Sequence, residues 1–139
     1  MGRVIPDATI ENLGDLYEAE RGLRPADQVR RVHVPDALVA SGATSLALPS
    51  RLIHQLSLKK RYEKRSRSGQ ELGVTSVYEA VRITIQGRDA SVDVMEMSDD
   101  LPVLVGQIPL EIMDLVLDPR GQKLIGNPAH NCEQTLELY

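Results

Sequence analysis

Val77-Tyr78-Glu79-Ala80-Val81-Arg82-Ile83-Thr84-Ile85 runs into Gln86-Gly87-Arg88-Asp89 and then into Ala90-Ser91-Val92-Asp93-Val94. Val77, Val81, Ile83 and Ile85 fall on one face of an extended chain, while Tyr78, Ala80, Arg82 and Thr84 fall on the other. After the turn-forming residues the alternation resumes, with Ala90, Val92 and Val94 set against Ser91 and Asp93. A side-chain period of two, broken by turn chemistry, is the pattern of a half-buried β-hairpin. Further strands are expected over residues 4–12 and 29–39, where Val32, Val34 and Leu38 recur; Pro6 and Pro35 mark edge or bulged positions. Leu115-Val116-Leu117 reads as a buried strand closed by an Asp118-Pro119-Arg120-Gly121 turn, and residues 135–139 alternate as a pairing strand would.

Helix is scarce in this pattern. Pro49 can open a short helix with Leu52, Ile53 and Leu56 on its apolar stripe, and a second can start near Pro109 with Leu110 and Met113 inward. Residues 14–27, with Glu18 and Glu20, read as an exposed loop insertion. The expected fold class is all-β, with one or two short helices, in a single domain over residues 1–139.

Composition narrows the function. Hydrophobic residues make up 42% of the chain and charged residues 26%, the balance of a folding globular domain. With four Tyr, no Phe and no Trp, the core must be built from Val, Leu, Ile and Met. The same shortage of rings, with a net charge of −4, argues against nucleic acid as a partner. Cys132 is the only cysteine, so no internal disulfide can form, which suits a reducing cytoplasm. No apolar run approaches the roughly 20 residues of a membrane span, and the first residues lack a secretory apolar stretch. The expectation is a cytoplasmic protein with no membrane partner.

The stretch richest in chemistry is Ala37-Leu38-Val39-Ala40-Ser41-Gly42-Ala43-Thr44-Ser45-Leu46-Ala47-Leu48-Pro49, in which an apolar strand enters a small-residue loop and leaves through another apolar strand. Small residues let backbone and ligand approach closely, and Gly42 allows a tight bend. Some sixty residues later comes Leu101-Pro102-Val103-Leu104-Val105-Gly106-Gln107-Ile108-Pro109-Leu110. Together, in this order, the two segments resemble the active-site loop and the later apolar-Gly element of retroviral-type (retropepsin-like) aspartic proteases. The resemblance covers roughly residues 28–126.

This resemblance implies a retropepsin-like barrel and a symmetric homodimer, because one loop supplies only half of a two-aspartate site. It implies endopeptidase chemistry, in which a water held between two aspartates attacks an extended polypeptide. No cofactor and no metal are implied. The position matching the catalytic aspartate is Ala40, and a methyl group can neither accept a proton from water nor polarise a carbonyl. Asp36, four residues earlier, is no obvious substitute. The chain is therefore expected to be inactive as written. A natural pseudoprotease and a deliberate Asp→Ala change both leave this pattern, and a single loss in an otherwise intact motif has the look of an active-site mutant. By resemblance, Ser41 would hydrogen-bond across the two-fold axis, Gly42 would lie beside the scissile bond, and Ala43 and Thr44 would border the substrate cleft. The alternative function is a non-catalytic peptide-binding pseudoprotease module.

Residues 58–73 contain Lys59, Lys60, Arg61, Lys64, Arg65 and Arg67, six of the sixteen basic residues. Ser66-Arg67-Ser68-Gly69-Gln70 is small and polar, as a hairpin tip would be. By position it is similar to the flap of these proteases, so Arg67, Ser68, Gly69 and Gln70 are expected to bind substrate, with Gly69 letting the tip bend. A solvated charged hairpin is compatible with that reading. His130-Asn131-Cys132 is the only close His/Cys pair, lacks the further ligands of a zinc site, and reads as a surface loop. Met95 and Met97 read as core or rim fillers.

Overall fold

The computed structural model describes residues 7–40, 42–118, 120 and 123–138. Strands account for 46% of the chain and helix for 21%, and the main sheet curls into a half-barrel, which agrees with an all-β class. The first strand, β1 (Ala8–Asn12), leads into helix α1 (Leu13–Glu20), a 3-10 turn (Ala26–Gln28), β2 (Arg31–Val34) and β3 (Leu38–Val39). Next come β4 (Leu46–Pro49), α2 (Ser50–Gln55), β5 (Lys60–Ser68), β6 (Glu71–Ile85) and β7 (Arg88–Met97). The chain then forms β8 (Leu104–Val105), α3 (Gln107–Met113), β9 (Leu115–Asp118), β10 (Lys123–Gly126) and a last 3-10 turn (Pro128–His130). Seven strands run in the order β2-β1-β6-β7-β4-β8-β3, β5 pairs with β6 beside that path, and β9 and β10 form a separate two-stranded ribbon.

The β6–β7 hairpin forms as its alternation requires. Gln86 and Gly87 both take positive φ, 53° and 76°, the geometry of a two-residue type I′ turn, and Ile85 pairs with Arg88. Val77, Val81, Ile83, Ile85, Ala90, Val92 and Val94 are all buried. All of these but Val77 pack with Ile10, Leu46, Leu48, Ile53, Leu56 and Met113 into one ring-poor core. Pro109 falls inside α3, which starts at Gln107, and Leu110 and Met113 are buried as the stripe requires.

Four expectations need correction. Residues 14–27 are no plain loop: they include α1. Asn12 caps this helix by accepting from the Asp15 amide at 3.1 Å, and it donates its own side-chain N–H to the Leu56 carbonyl at 2.8 Å. Asp15 is buried and accepts from the Arg30 backbone N–H at 3.0 Å and from its guanidinium at 2.8 Å twice. With this helix the described residues hold three α-helices, one more than expected. The 29–39 strand is split into β2 and β3 by a turn at Pro35-Asp36, since proline donates no ladder hydrogen bond. Residues 135–138 form no strand; Leu136 and Leu138 are exposed, for alternation alone makes no strand without a neighbouring edge. Residues 4–6 of the first expected strand, and Pro119 and Gly121 of the expected turn, lie outside the described residues, as does Tyr139.

Among the described residues no helix is long and apolar enough to cross a membrane.

Candidate functional site

Strand β8 lies between the two strands that flank the small-residue loop. On one side it pairs in parallel with β3, Leu38 with Leu104 and Val39 with Val105; on the other it pairs antiparallel with β4, Leu46 with Val105 and Ala47 with Leu104. Residues 42–45 therefore lie over the end of β8. The Ala40 N–H donates to the Val105 carbonyl at 3.1 Å, and the Ala43 N–H closes a tight turn on the Ala40 carbonyl at 2.9 Å. The loop carbonyls then receive the first amides beyond β8. Gly106 N–H donates to Ser45 at 3.0 Å, Gln107 N–H to Ala43 at 2.9 Å and Ile108 N–H to Thr44 at 2.8 Å. Amides at the start of a helix lack partners within it, so the loop and α3 satisfy each other.

Gly106 is what allows this closure. A Cβ there would stand 2.6 Å from the Ser45 carbonyl oxygen, 2.7 Å from the Thr44 carbonyl carbon and 2.8 Å from the Ala43 carbonyl oxygen. Gly42 behaves differently from expectation: it has no left-handed φ, and a Cβ there would meet nothing within 4 Å. The bend itself does not require a glycine at 42. Ala40 is 6% exposed, Ala43 is half-buried, and Gly42 and Thr44 are exposed. Ser41 lies outside the described residues. Asp36 is exposed in the turn between β2 and β3.

The basic segment forms the β5–β6 hairpin, with Ser68 paired to Glu71 across Gly69-Gln70. Gly69 takes φ +64°, as a type II′ turn asks of its first central residue. Arg65 opposes Val74 and Arg67 opposes Leu72, so these four share one face, while Lys64, Ser66 and Thr75 share the other with the buried Val77. The second face meets the fold at Val77, while Lys64 on it is exposed. Lys64 lines a cleft of about 290 Å³ with Ser45 and Leu46 from β4's approach, Met95 from β7, and Ile108 and Ile112 from α3. Ile108 and Ile112 are 44% and 45% exposed, an apolar pair at i, i+4 on a helix whose other face is core. Arg67 lines a separate open concavity of about 560 Å³ with Arg65, Leu72 and Val74; Ser68, Gly69 and Gln70 line neither of the two. Ser45 from the end of the loop and Lys64 from β5 thus share a cleft, whereas Ala40, Gly42, Ala43 and Thr44 do not line it, nor do the tip residues.

Sequence reasoning missed Lys64, Ile108 and Ile112 as cleft residues. The i, i+4 spacing of the two isoleucines was visible, but that they share a cleft with a residue of β5, four elements earlier, was not.

A polar cluster sits behind α3. Asp114, at φ +54°, receives the Asn127 side-chain N–H at 3.2 Å and the Thr135 N–H at 3.0 Å, and it meets His130 Nδ1 at 2.7 Å. The other ring nitrogen of His130 meets Glu137 at 2.5 Å. His130 is thus a bridge that ties the C-terminal segment down, within a turn segment whose Asn131 and Cys132 are exposed. Glu137 and Asp114 hold the imidazole above its usual pKa, and His130 holds the Asp114 carboxyl below its own. Among the described residues no group of three or more His, Cys, Asp or Glu side chains is placed to hold a metal ion.

Comparison with models of known protein families finds no match, and comparison with curated proteins finds none either, so the geometry of the loop, cleft and hairpin carries the functional argument.

Proposed function

We propose that this chain is a retropepsin-like domain of the aspartic endopeptidase class, acting as a homodimer, in which Ala40 occupies the aspartate position. Such a domain binds an extended polypeptide in its cleft and does not cut it. The observation that supports this most is the loop residues 42–45 closed against the end of β8 through Gly106, with Ser45 bordering a cleft that Lys64 of the hairpin also lines. The loop offers its exposed Gly42 and Thr44 and the half-buried Ala43 to a ligand. The open space above Gly42 suits the close approach of a peptide or a partner loop.

In an active member of this class, two carboxylates a few ångströms apart share one proton; the ionised one takes a proton from water and the protonated one stabilises the oxyanion. Ala40 can do neither. What this chain's own residues retain is positioning: loop backbone, apolar cleft and hairpin.

A second reading, a module that never cleaves, is favoured by the burial of Ala40. At 6% exposure, a carboxylate placed there would be largely desolvated and costly to ionise within one protomer.

Light scattering on the chromatographed chain, followed by incubation with a mixed peptide library and mass spectrometry, tests the proposal. It predicts a dimer with peptides retained uncut. A monomer at high concentration that retains no peptide contradicts it.

A further inference from the structure

We propose that the cleft between α3 and the β5–β6 hairpin takes an acidic polypeptide segment, which seats an apolar side chain on Ile108 and Ile112. This rests on the peptide-binding reading above and adds the chemistry of the peptide.

Charge on this chain is sharply divided. Residues 59–73 carry six Lys and Arg against Glu63 and Glu71, a net +4, while the whole chain is −4, so the remainder holds −8. Much of the hairpin's charge is uncommitted. Lys60 pairs with Glu63 at 2.5 Å and Arg61 with Asp93 at 3.9 Å, but Lys64, Arg65 and Arg67 have no carboxylate partner among the described residues. Lys64 lies 5.5 Å from the centre of the Tyr62 ring and lines the cleft itself. Asp93, the one carboxylate among the described cleft residues, is the one that Arg61 faces. Arg65 and Arg67 lie on the hairpin's other face and line the separate concavity there. With Asp93 facing Arg61, Lys64 is the charged group lining the cleft that has no carboxylate partner among the described residues, and a positive charge left so attracts ligand groups of the opposite sign.

The floor decides what kind of anion fits. Ile108, Ile112 and Met95 are apolar and carry no ring, and 290 Å³ holds one or two side chains rather than a folded partner. Single-stranded nucleic acid is gripped by stacking bases on aromatic faces, and no ring lines this cleft among the described residues. A peptide meets both walls at once, since its residues alternate in direction and an acidic neighbour of the seated side chain reaches toward Lys64.

The test uses the full chain and three fluorescent peptides, each about ten residues long, with the same central Leu flanked by Glu, by Gln or by Lys. Anisotropy titrations at about 0.05 M and 0.3 M salt should show the Glu-flanked peptide binding about ten-fold tighter than the Gln-flanked one at low salt, with the gap closing at high salt. Lys64→Glu should abolish the preference, whereas Ile108→Ser should weaken the Glu- and Gln-flanked peptides alike. Equal binding of the Gln- or Lys-flanked peptide, or an unchanged preference in Lys64→Glu, overturns the acidic assignment while leaving peptide binding intact. Failure of all three peptides to bind the folded protein overturns the underlying reading as well. A single-stranded oligonucleotide that binds more tightly than the Glu-flanked peptide overturns the proposal in favour of nucleic acid.

Discussion

Gly106 carries more of the candidate site than any residue with a functional group. Three loop carbonyl atoms stand within 2.8 Å of where its Cβ would be, and all belong to backbone that cannot swing aside. Gly106→Ala should therefore push the 43–45 segment off β8, at about 1–3 kcal/mol, the range for overpacking a tight site. A lowered midpoint in urea unfolding, with peptide affinity lost by more than the stability change explains, would check this. Gly42→Ala, by contrast, should leave stability nearly unchanged while weakening the proposed peptide binding or dimerisation, because among the described residues nothing lies within 4 Å of the added methyl. His130 gives a pH signature. Its raised pKa means its contribution is complete below about 6.5 and is lost as pH rises through the folded value; the lowered pKa of Asp114 means its contribution is complete above about 3.8 and is lost as pH falls through its folded value. The pair should hold the C-terminal segment best between those limits. Replacing the histidine, His130→Ala, should flatten the fall in stability as pH rises above about 6.5, as measured by urea unfolding at each pH.

Helix α1 is the element that the sequence conceals and a long-range pair explains. Its polar, glycine-containing stretch has the composition of a loop, and what makes it a helix is the Asn12 cap together with a carboxylate that reaches Arg30 across fifteen positions. Asp15→Ala leaves the Arg30 backbone amide and guanidinium without their acceptor and should cost about 1–3 kcal/mol, the scale of hydrogen bonds to a charged group, at the low end because Arg30 is partly solvated. Equilibrium unfolding of that variant measures the cost. The β6–β7 hairpin stands at the opposite pole: its pairing is local, its turn residues are explicit, and its period is unbroken. The β5–β6 hairpin is legible as a hairpin for the same reason, yet nearly every residue from Lys60 to Val74 is exposed. Its amides at 71–74 should exchange with solvent much faster than those at 81–85 of the same strand, a contrast that hydrogen exchange reads directly.

At the scale of the molecule, both segments that meet at the candidate site were readable, the loop at 40–45 and the apolar run ending at Gly106, because each has a composition of its own. Their crossing, with β8 threaded between β3 and β4, depends on contacts some sixty residues apart and is visible only in the folded chain. The cleft followed from neither motif, since Lys64, Met95 and Ile108 come from three separate elements. The central claim is that this architecture lacks one part, a carboxylate at position 40. The most direct measurement is to supply it, assaying the Ala40→Asp protein on a mixed peptide library from about pH 4 to pH 7, the interval in which a coupled carboxylate pair titrates, with and without a statine-type inhibitor. The account predicts cleavage that the inhibitor stops and that the unaltered chain does not show; a folded, dimeric Ala40→Asp protein that cuts nothing would contradict it.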